Sequence, residues 1–216
     1  MLKDIKAVIF DMDGTLIDSM WIWPTVDKLF FEKEGLPMPE TLQKDIEGLS
    51  MHATAEYFIN NFSIRYEVEE LISVWNEMAM FEYLHEVPFK PGAKTFLENL
   101  KKNNIKMGIA TSNSRELVEA ADASLHFSDY IECIVTSKEV PKGKPEPDIY
   151  LEVAKHLQVS PAQCLVFEDV PQGILAGVRA NMKTCAIQDD FSKDMEKEKR
   201  ELADYFINSY DEIVFE

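Results

Sequence analysis

The sequence predicts an α/β fold, in which a doubly wound parallel sheet carries an inserted all-α helical cap domain. From residue 90 onward, short apolar runs alternate with helical segments, which is typical of a parallel sheet with helices on both faces. A further apolar run, Ala7–Phe10, lies near the start of the chain. Between residues 16 and 88 the apolar residues follow helical spacing, so this segment is predicted to interrupt the sheet after its first strand.

The strands and core helices can be placed in chain order. Strands are predicted in six short apolar runs, of the kind that a parallel sheet buries on both faces, at residues 7–10, 106–110, 131–135, 164–167, 184–187 and 205–207. Helices are predicted between them at residues 93–102, 115–123, 147–157, 171–180 and 193–203. Most of these helices begin near Pro, Ser or Asp, which are common at helix N-termini.

The insertion is predicted to be helical. Pro24 fits only the first turn of a helix that runs to about Glu34, because a proline deeper in a helix interrupts backbone hydrogen bonding. Gly48 can end a second helix, and Ser50 can cap the next one. An apolar stripe predicts a further helix, and it consists of Val68, Leu71, Ile72, Trp75, Met78 and Ala79.

Two short segments, residues 16–19 and 86–91, would connect this insertion to the sheet. Both would lie close to the end of the first strand, which makes the insertion a lid hinged beside that strand end. The predicted domains are therefore a Rossmann-like core of residues 1–16 and 89–216 and a helical cap of residues 17–88.

Composition limits the classes of function. The chain has 39 acidic and 22 basic residues and a net charge of −17, and such a field repels nucleic acids and anionic membranes. It contains no apolar run long enough for a membrane span, no signal peptide, and three cysteines without a Cys-x-x-Cys spacing. We expect a monomeric cytoplasmic protein whose partner is a small molecule rather than a nucleic acid or a membrane.

The strongest chemical signal is Asp11-Met12-Asp13-Gly14-Thr15, directly after the first strand. Ligands of open α/β sheets bind at the carboxyl ends of the strands. Asp11 can attack a phosphorus atom and form an acyl phosphate, while Asp13, pointing the same way along an extended segment, can transfer a proton. Taken alone, the stretch could also be a solvated acidic turn in which Gly14 supplies a positive φ.

Two other segments offer groups that could hold a phosphate. Thr111, Ser112 and Asn113 follow the second strand, and their hydroxyl and backbone N–H groups can bind an anion or simply cap the next helix. Lys144 precedes a proline and can bridge a carboxylate and a phosphate, although a solvated loop lysine is the alternative.

A metal site is predicted after the fourth strand, where Glu168 and Asp169 precede Pro171. Paired carboxylates at a strand end suit Mg²⁺, and an ordinary helix cap is the alternative. If Glu168 and Asp169 lie beside Asp11 and Asp13, the four carboxylates would repel one another strongly without a cation. We therefore expect a metal if these groups converge.

Together these motifs make the chain resemble the haloacid dehalogenase superfamily of Mg²⁺-dependent phosphotransferases over essentially its whole length. The resemblance is to the small-helical-cap group, which includes β-phosphoglucomutase and many sugar- and nucleotide-phosphate phosphatases. It implies that Asp11 is the nucleophile, Asp13 the acid/base, and Thr111 and Lys144 the phosphate-holding pair. It also implies Mg²⁺ ligation by Asp11, the Asp13 backbone carbonyl and Asp169, with Glu168 binding directly or through water.

Within the superfamily, Asp13 argues against the dehalogenase branch, which lacks a second Asp, and against the phosphonatase branch, which has Ala there. The mutase branch carries a His twelve positions after the nucleophile, where this chain has Trp23. Its cap also has a Gly-x-Ser-Arg segment, and here the run is Gly48-Leu49-Ser50-Met51. Without that Arg, a second phosphate loses its natural bidentate partner.

The charge of the cap leads to the same expectation. Residues 17–88 contain four basic and fourteen acidic side chains, so they carry −10 of the total −17. We therefore predict a phosphatase that acts on a small phosphomonoester, a sugar phosphate or a nucleotide-like compound, with a neutral or aromatic leaving group. A β-phosphoglucomutase-type mutase and a non-enzymatic receiver-like switch remain alternatives.

Residues outside the catalytic set are assigned to substrate or phosphate binding. They are Gly14, Ser112, Asn113 and Trp23. Trp21 is a second candidate contact for the leaving group, and packing inside the cap is the alternative for both tryptophans.

Overall fold

The sheet contains the six predicted parallel strands. A computed structural model describes residues 1–46, 49 and 51–215, and the strands within them are β1 (Ala7–Phe10), β2 (Lys106–Thr111), β3 (Cys133–Thr136), β4 (Cys164–Glu168), β5 (Lys183–Ile187) and β6 (Tyr205–Ile207). They are hydrogen-bonded in the order β3-β2-β1-β4-β5-β6, and each pairing is parallel. β1 and β4 are neighbours at the point where the strand order changes direction, which is where such sheets bind ligands.

Helices cover both faces of this sheet. The α-helices of the described residues are α1 (Ile22–Glu34), α2 (Leu42–Asp45), α3 (Met51–Asn61), α4 (Val68–His85), α5 (Ala93–Lys102), α6 (Arg115–Leu125), α7 (Asp148–Leu157), α8 (Pro171–Arg179) and α9 (Glu196–Leu202). Val8 and Phe10 of β1 pack into one apolar cluster with α5 and α6. Ala7 and Ile9 point the other way and pack with α7 and α8. The alternation of strand side chains therefore produces the predicted doubly wound architecture.

The segment between β1 and α5, called the insertion below, is built from α1 to α4. As predicted, Pro24 lies in the first turn of α1, and the central part of the α4 stripe is buried. Aromatic rings hold the helices together: the ring centroid of Phe58 lies 5.9 Å from Phe30 and 4.9 Å from Trp75. The predicted helix end at Gly48 and helix cap at Ser50 lie outside the described residues.

The two segments that connect the insertion to the sheet pair with each other. The N–H of Asp18 donates to the carbonyl of Pro88 at 2.9 Å, and the N–H of Lys90 donates to the carbonyl of Leu16 at 3.0 Å. The Lys90 side chain forms a buried ion pair with Asp189 at 2.7 Å. The insertion thus enters and leaves through one narrow, fixed junction beside the end of β1.

Two predicted elements differ from the observed ones. β3 begins two residues late, because the N–H of Ile131 closes a turn onto the carbonyl of Phe127 at 3.0 Å. The helix predicted at 193–203 begins as a 3₁₀ turn, in which the N–H of Met195 donates to the carbonyl of Ser192, and α9 follows it. Among the described residues we find no helix whose length and apolar character would let it span a bilayer.

Candidate active site

Three carboxylates converge where β1 and β4 end. Asp11 follows β1, Glu168 is the last residue of β4, and Asp169 comes next. The N–H of Asp11 donates to the carbonyl of Phe167 at 3.0 Å, which extends the strand pairing up to the site. Each of the three buried carboxylates offers an oxygen, and these oxygens lie within 4.8 Å of one another. The predicted convergence of these three residues is therefore present in the structure.

Lys144 lies inside this cluster. Its Nζ donates to Asp11 Oδ1 at 2.5 Å, to Glu168 Oε1 at 2.6 Å and to the Ala110 carbonyl at 3.0 Å. Burial alone would lower the pKa of Lys144, but the adjacent carboxylates of Asp11 and Glu168 outweigh that effect and raise it. The lysine stays charged, and it balances one of the three carboxylate charges.

The remaining negative charge raises the pKa of the carboxyl groups. Burial raises the pKa of Asp11 to about 8, with Lys144 opposing the rise and the charges of Glu168 and Asp13 adding to it. The pKa of Asp169 is also raised, first by burial and then by Glu168 and Asp11. Such a cluster favours a bound cation, because positive charge restores the ionised form of each carboxylate.

Asp169 supplies a specific test of whether a metal fits. Its Oδ1 accepts a hydrogen bond from Thr15 Oγ1 at 3.0 Å, but its buried Oδ2 has no hydrogen-bond partner among the described residues. Buried polar atoms without partners are rare and call for a ligand. An unpaired carboxylate oxygen beside two further carboxylates is a donor set that Mg²⁺ prefers, so these residues fit the predicted cation.

Two glycines allow the carboxylates to approach the backbone so closely. A Cβ on Gly173 would lie 1.8 Å from Glu168 Oε1, and a Cβ on Gly14, whose φ is +75°, would lie 2.6 Å from Asp169 Oδ2. The N–H of Gly14 donates to the Ile17 carbonyl at 2.9 Å. The assignment of Gly14 to phosphate binding is thus not supported by a free donor, and its position instead makes room for Asp169.

Asp13 has quite different surroundings. Its Oδ1 accepts hydrogen bonds from Ser19 Oγ at 2.6 Å and from Tyr83 Oη at 2.5 Å, and its Oδ2 accepts one from Asn113 Nδ2 at 3.0 Å. Burial raises the pKa of Asp13, and these hydrogen bonds oppose the rise. The side chain of Asp13 is not part of the carboxylate cluster.

Sequence analysis missed Ser19 and Tyr83. Tyr83 belongs to α4 in the insertion, seventy residues from Asp13 in sequence, so no local motif marks it. The side-chain amide of Asn113 is already used by Asp13 and Tyr83. Asn113 was predicted to hold phosphate, and its side chain instead orients the predicted acid/base.

The strand end at β2 keeps a free hydroxyl. Thr111 is buried, and its Oγ1 accepts the N–H of Asn113 at 3.0 Å. The hydroxyl proton of Thr111 is not donated to any residue that the structure describes. Ser114 caps α6, as its Oγ accepts the N–H of Leu117 at 3.3 Å. Thr111 and Ser112 are therefore not the helix cap, and both line the cavity described next.

A cavity of about 300 Å³ lies between the strand ends and the insertion. Asp11, Asp13, Lys144, Glu168 and Asp169 lie on its sheet side. The described residues on the insertion side are Met20, Trp23, Val26, Asp27, Gln43, Ile46, Leu49, Met51, Thr54 and Trp75. Lys and Arg are absent from that set.

The two predicted tryptophan contacts differ. Trp23 lines the cavity and its ring centroid lies 6.4 Å from that of Tyr83. Trp21 is not among the lining residues; it is 41% exposed and its indole N–H donates to the Asp18 carbonyl. The expectation for Trp21 is wrong, because α1 directs it away from the cavity.

Comparison with known proteins gives a family and several relatives. A family model described as haloacid dehalogenase-like hydrolase matches residues 8–187. The chain is 31% identical over 180 residues to the phosphorylated carbohydrates phosphatase of Thermotoga maritima, covering 83% of each chain. It is 32% identical over 187 residues to the β-phosphoglucomutase of Bacillus subtilis, covering 82% of this chain and 81% of that one. The crystal structure of a family IA HAD hydrolase from Entamoeba histolytica superposes with a TM-score of 0.86 and 26% identity, covering 98% of this chain and 96% of that one.

Proposed function

The chain belongs to the haloacid dehalogenase-like hydrolases, and from this premise we propose that it is a Mg²⁺-dependent phosphatase of a small phosphomonoester. The observation that carries the proposal is the contrast between its two aspartates. Asp11 lies among carboxylates and Lys144 with a candidate cation site beside it. Asp13 lies apart from that cluster and is held by three neutral donors. Different surroundings suit a nucleophile and a proton carrier respectively.

We assign the first chemical step to these two residues. A carboxylate oxygen of Asp11 forms a bond to phosphorus while the bond from phosphorus to the ester oxygen breaks. Asp13 gives its proton to the departing oxygen, so a neutral alcohol leaves. In the second step Asp13 takes a proton from water, the water oxygen attacks phosphorus, and the bond to Asp11 breaks. The products are inorganic phosphate and the original Asp11 carboxylate.

Two groups would hold the phosphoryl oxygens during both steps. The free hydroxyl of Thr111 and the ammonium of Lys144 lie at neighbouring strand ends, on the same side of the cavity. Asp11, Asp169 and the Asp13 backbone carbonyl, with Glu168 direct or through water, would hold Mg²⁺. When bound, Mg²⁺ would neutralise charge on the phosphate oxygens.

The cavity lining favours a phosphatase over a mutase. A mutase must bind a bisphosphorylated sugar, and a second phosphate needs cationic or donor-rich partners in the cap. The described lining residues of the insertion contain no Lys or Arg, and Asp27 adds a negative charge. The sequence through the adjoining Glu47, Gly48 and Ser50 adds no basic side chain either. A neutral leaving group therefore fits best, and the relative from Thermotoga maritima, named for phosphorylated carbohydrates, supports a sugar phosphate.

Residues 17–88 would act as the cap of this active site. Tyr83 extends from α4 to Asp13, so the position of the insertion and the orientation of the acid/base are linked. With the insertion in place, bulk water is kept from the aspartyl phosphate until the alcohol has left.

The test is turnover of a broad phosphomonoester panel that includes glucose 1-phosphate, with Mg²⁺ and with EDTA. Free phosphate and isomerised sugar phosphate are measured in the same samples. We expect phosphate release that requires Mg²⁺ and little isomer. Isomer without phosphate would replace the proposal by the mutase, and a long-lived phosphoprotein without turnover would replace it by a switch.

A further inference from the structure

A polar pair interrupts the otherwise apolar roof of the cavity. Seven of the ten lining residues that the insertion supplies are apolar, and the other three are Asp27, Gln43 and Thr54. Asp27 lies on α1 and is only 7% exposed. Its Oδ2 accepts a hydrogen bond from Gln43 Nε2 at 2.7 Å. Within the part of the chain that the structure describes, no Lys, Arg or His forms an ion pair with it.

Burial of this carboxylate without a cationic partner is unfavourable. Burial raises the pKa of Asp27 to about 6, although the hydrogen bond from Gln43 opposes the rise. An apolar residue here would continue the surrounding surface of Val26, Ile46 and Trp75 at no such expense. A polar group that weakens the fold and lines a ligand cavity is typical of a binding function.

The pair also has hydrogen-bonding capacity left over. Asp27 Oδ1 and Gln43 Oε1 accept no hydrogen bond from the described residues, and the hydroxyl of Thr54, in the same lining, is equally unused. A group that donates hydrogen bonds would satisfy these acceptors. A phosphate or carboxylate would be repelled by Asp27, and a purely apolar group would leave the carboxylate desolvated and unpaired.

We propose that Asp27 and Gln43 form a subsite that binds a hydroxyl of the leaving group, so that the substrate is the phosphate ester of a neutral polyhydroxylated compound. The subsite presupposes the phosphatase activity proposed above and adds its specificity determinant. Asp11 and Asp13 would act on the phosphoryl end, while Asp27 and Gln43 select the alcohol at the other end of the cavity.

The experiment compares two ester classes, sugar and polyol phosphates with hydroxyl groups and phenyl phosphate without them. The quantity measured is the ratio of kcat/KM for the two classes. We expect Asp27→Leu to lower this ratio by about 10-fold or more, because a hydrogen bond to a charged group is lost, and Asp27→Asn to lower it less. Glu32→Gln removes a charge from an exposed position of the same helix and should keep the wild-type ratio.

The outcomes separate the two proposals. If wild-type protein releases no phosphate from either class, the phosphatase proposal fails. Calorimetric binding of both classes to wild-type and Asp27 variants then still tests the subsite. If the ratio and the relative affinities are unchanged in folded Asp27→Leu and Asp27→Asn, or if both ester classes lose equally, the subsite is refuted. Circular dichroism establishes folding, and Asp27→Asn, which is nearly isosteric, provides a folded variant should Asp27→Leu not fold.

Discussion

Replacing Asp27 by Asn should stabilise the protein, and the gain should grow with pH. In the folded protein, burial raises the pKa of Asp27 from its ordinary value of 3.8 to about 6, with Gln43 opposing the rise. Below about pH 3.8 the carboxyl is protonated in both the folded and the unfolded chain, so it has no unfavourable effect. As the pH rises through 6, the unfolded chain is already ionised and the folded protein must ionise a buried group, so stability is lost.

The size of the effect follows from the difference between the two pKa values. A tenfold change in acid dissociation corresponds to about 1.4 kcal/mol, so the difference between 3.8 and 6 lowers the stability of wild-type protein by about 3 kcal/mol at pH 8. At pH 5 the same linkage gives about 1.6 kcal/mol. Asn preserves the shape of Asp27 and can still accept from Gln43, so Asp27→Asn should gain about 1.4 kcal/mol more at pH 8 than at pH 5.

Urea unfolding at pH 5 and pH 8 measures this gain directly. Wild-type protein, Asp27→Asn and the exposed control Glu32→Gln are compared, and the control should change the free energy of unfolding by less than about 0.5 kcal/mol at either pH. An equal gain at both pH values, or a loss at pH 8, would refute the assignment of a buried, unpaired carboxylate at Asp27. The same variant should lose substrate selectivity, which is the usual relation between stability and function at a binding site.

Three further predictions concern the carboxylates and their neighbours. Mg²⁺ at 100 times its Kd should stabilise the folded protein by about 2.7 kcal/mol and raise its melting temperature, and Asp169→Asn should abolish this; equal shifts in both proteins would contradict a site at Asp169. Tyr83→Phe should lower kcat about 10-fold in steady-state kinetics with little change in KM, because Asp13 loses one donor; an unchanged kcat would exclude positioning by Tyr83. Gly173→Ala should lower the unfolding free energy in urea by about 1–3 kcal/mol and remove the Mg²⁺ response, since its Cβ would overlap Glu168; wild-type values would contradict the close approach.

Much of the fold was readable from sequence because parallel strands are short continuous apolar runs. Each run ends at a polar motif, and parallel strands place these ends at one edge of the sheet. Asp11, Thr111 and Glu168 were therefore predicted together without knowledge of the strand order. The order itself, which sets β1 between β2 and β4, depends on long-range pairing that local periodicity does not contain.

The rest of the site could not be predicted because it depends on how the insertion packs. Tyr83 appears in the sequence as one more aromatic residue of an apolar helix, and only tertiary structure brings its hydroxyl to Asp13. Asp27 and Gln43 are sixteen residues apart on two helices. Asn113 and Gly14 were assigned to phosphate from their place in the motif, but the structure gives their polar groups protein partners.

The central claim is that Asp11 carries the phosphoryl group, and chemical trapping tests it most directly. Wild-type protein is mixed with Mg²⁺ and a hydrolysed ester for a single turnover and quenched with borohydride, which reduces an acyl phosphate to the alcohol. The modified residue is then located by peptide mass spectrometry, with Asp11→Asn as the control. The mechanism predicts reduction at Asp11 in the wild-type protein only. Active enzyme with no reduced residue, or with reduction at Asp13 instead, would contradict it.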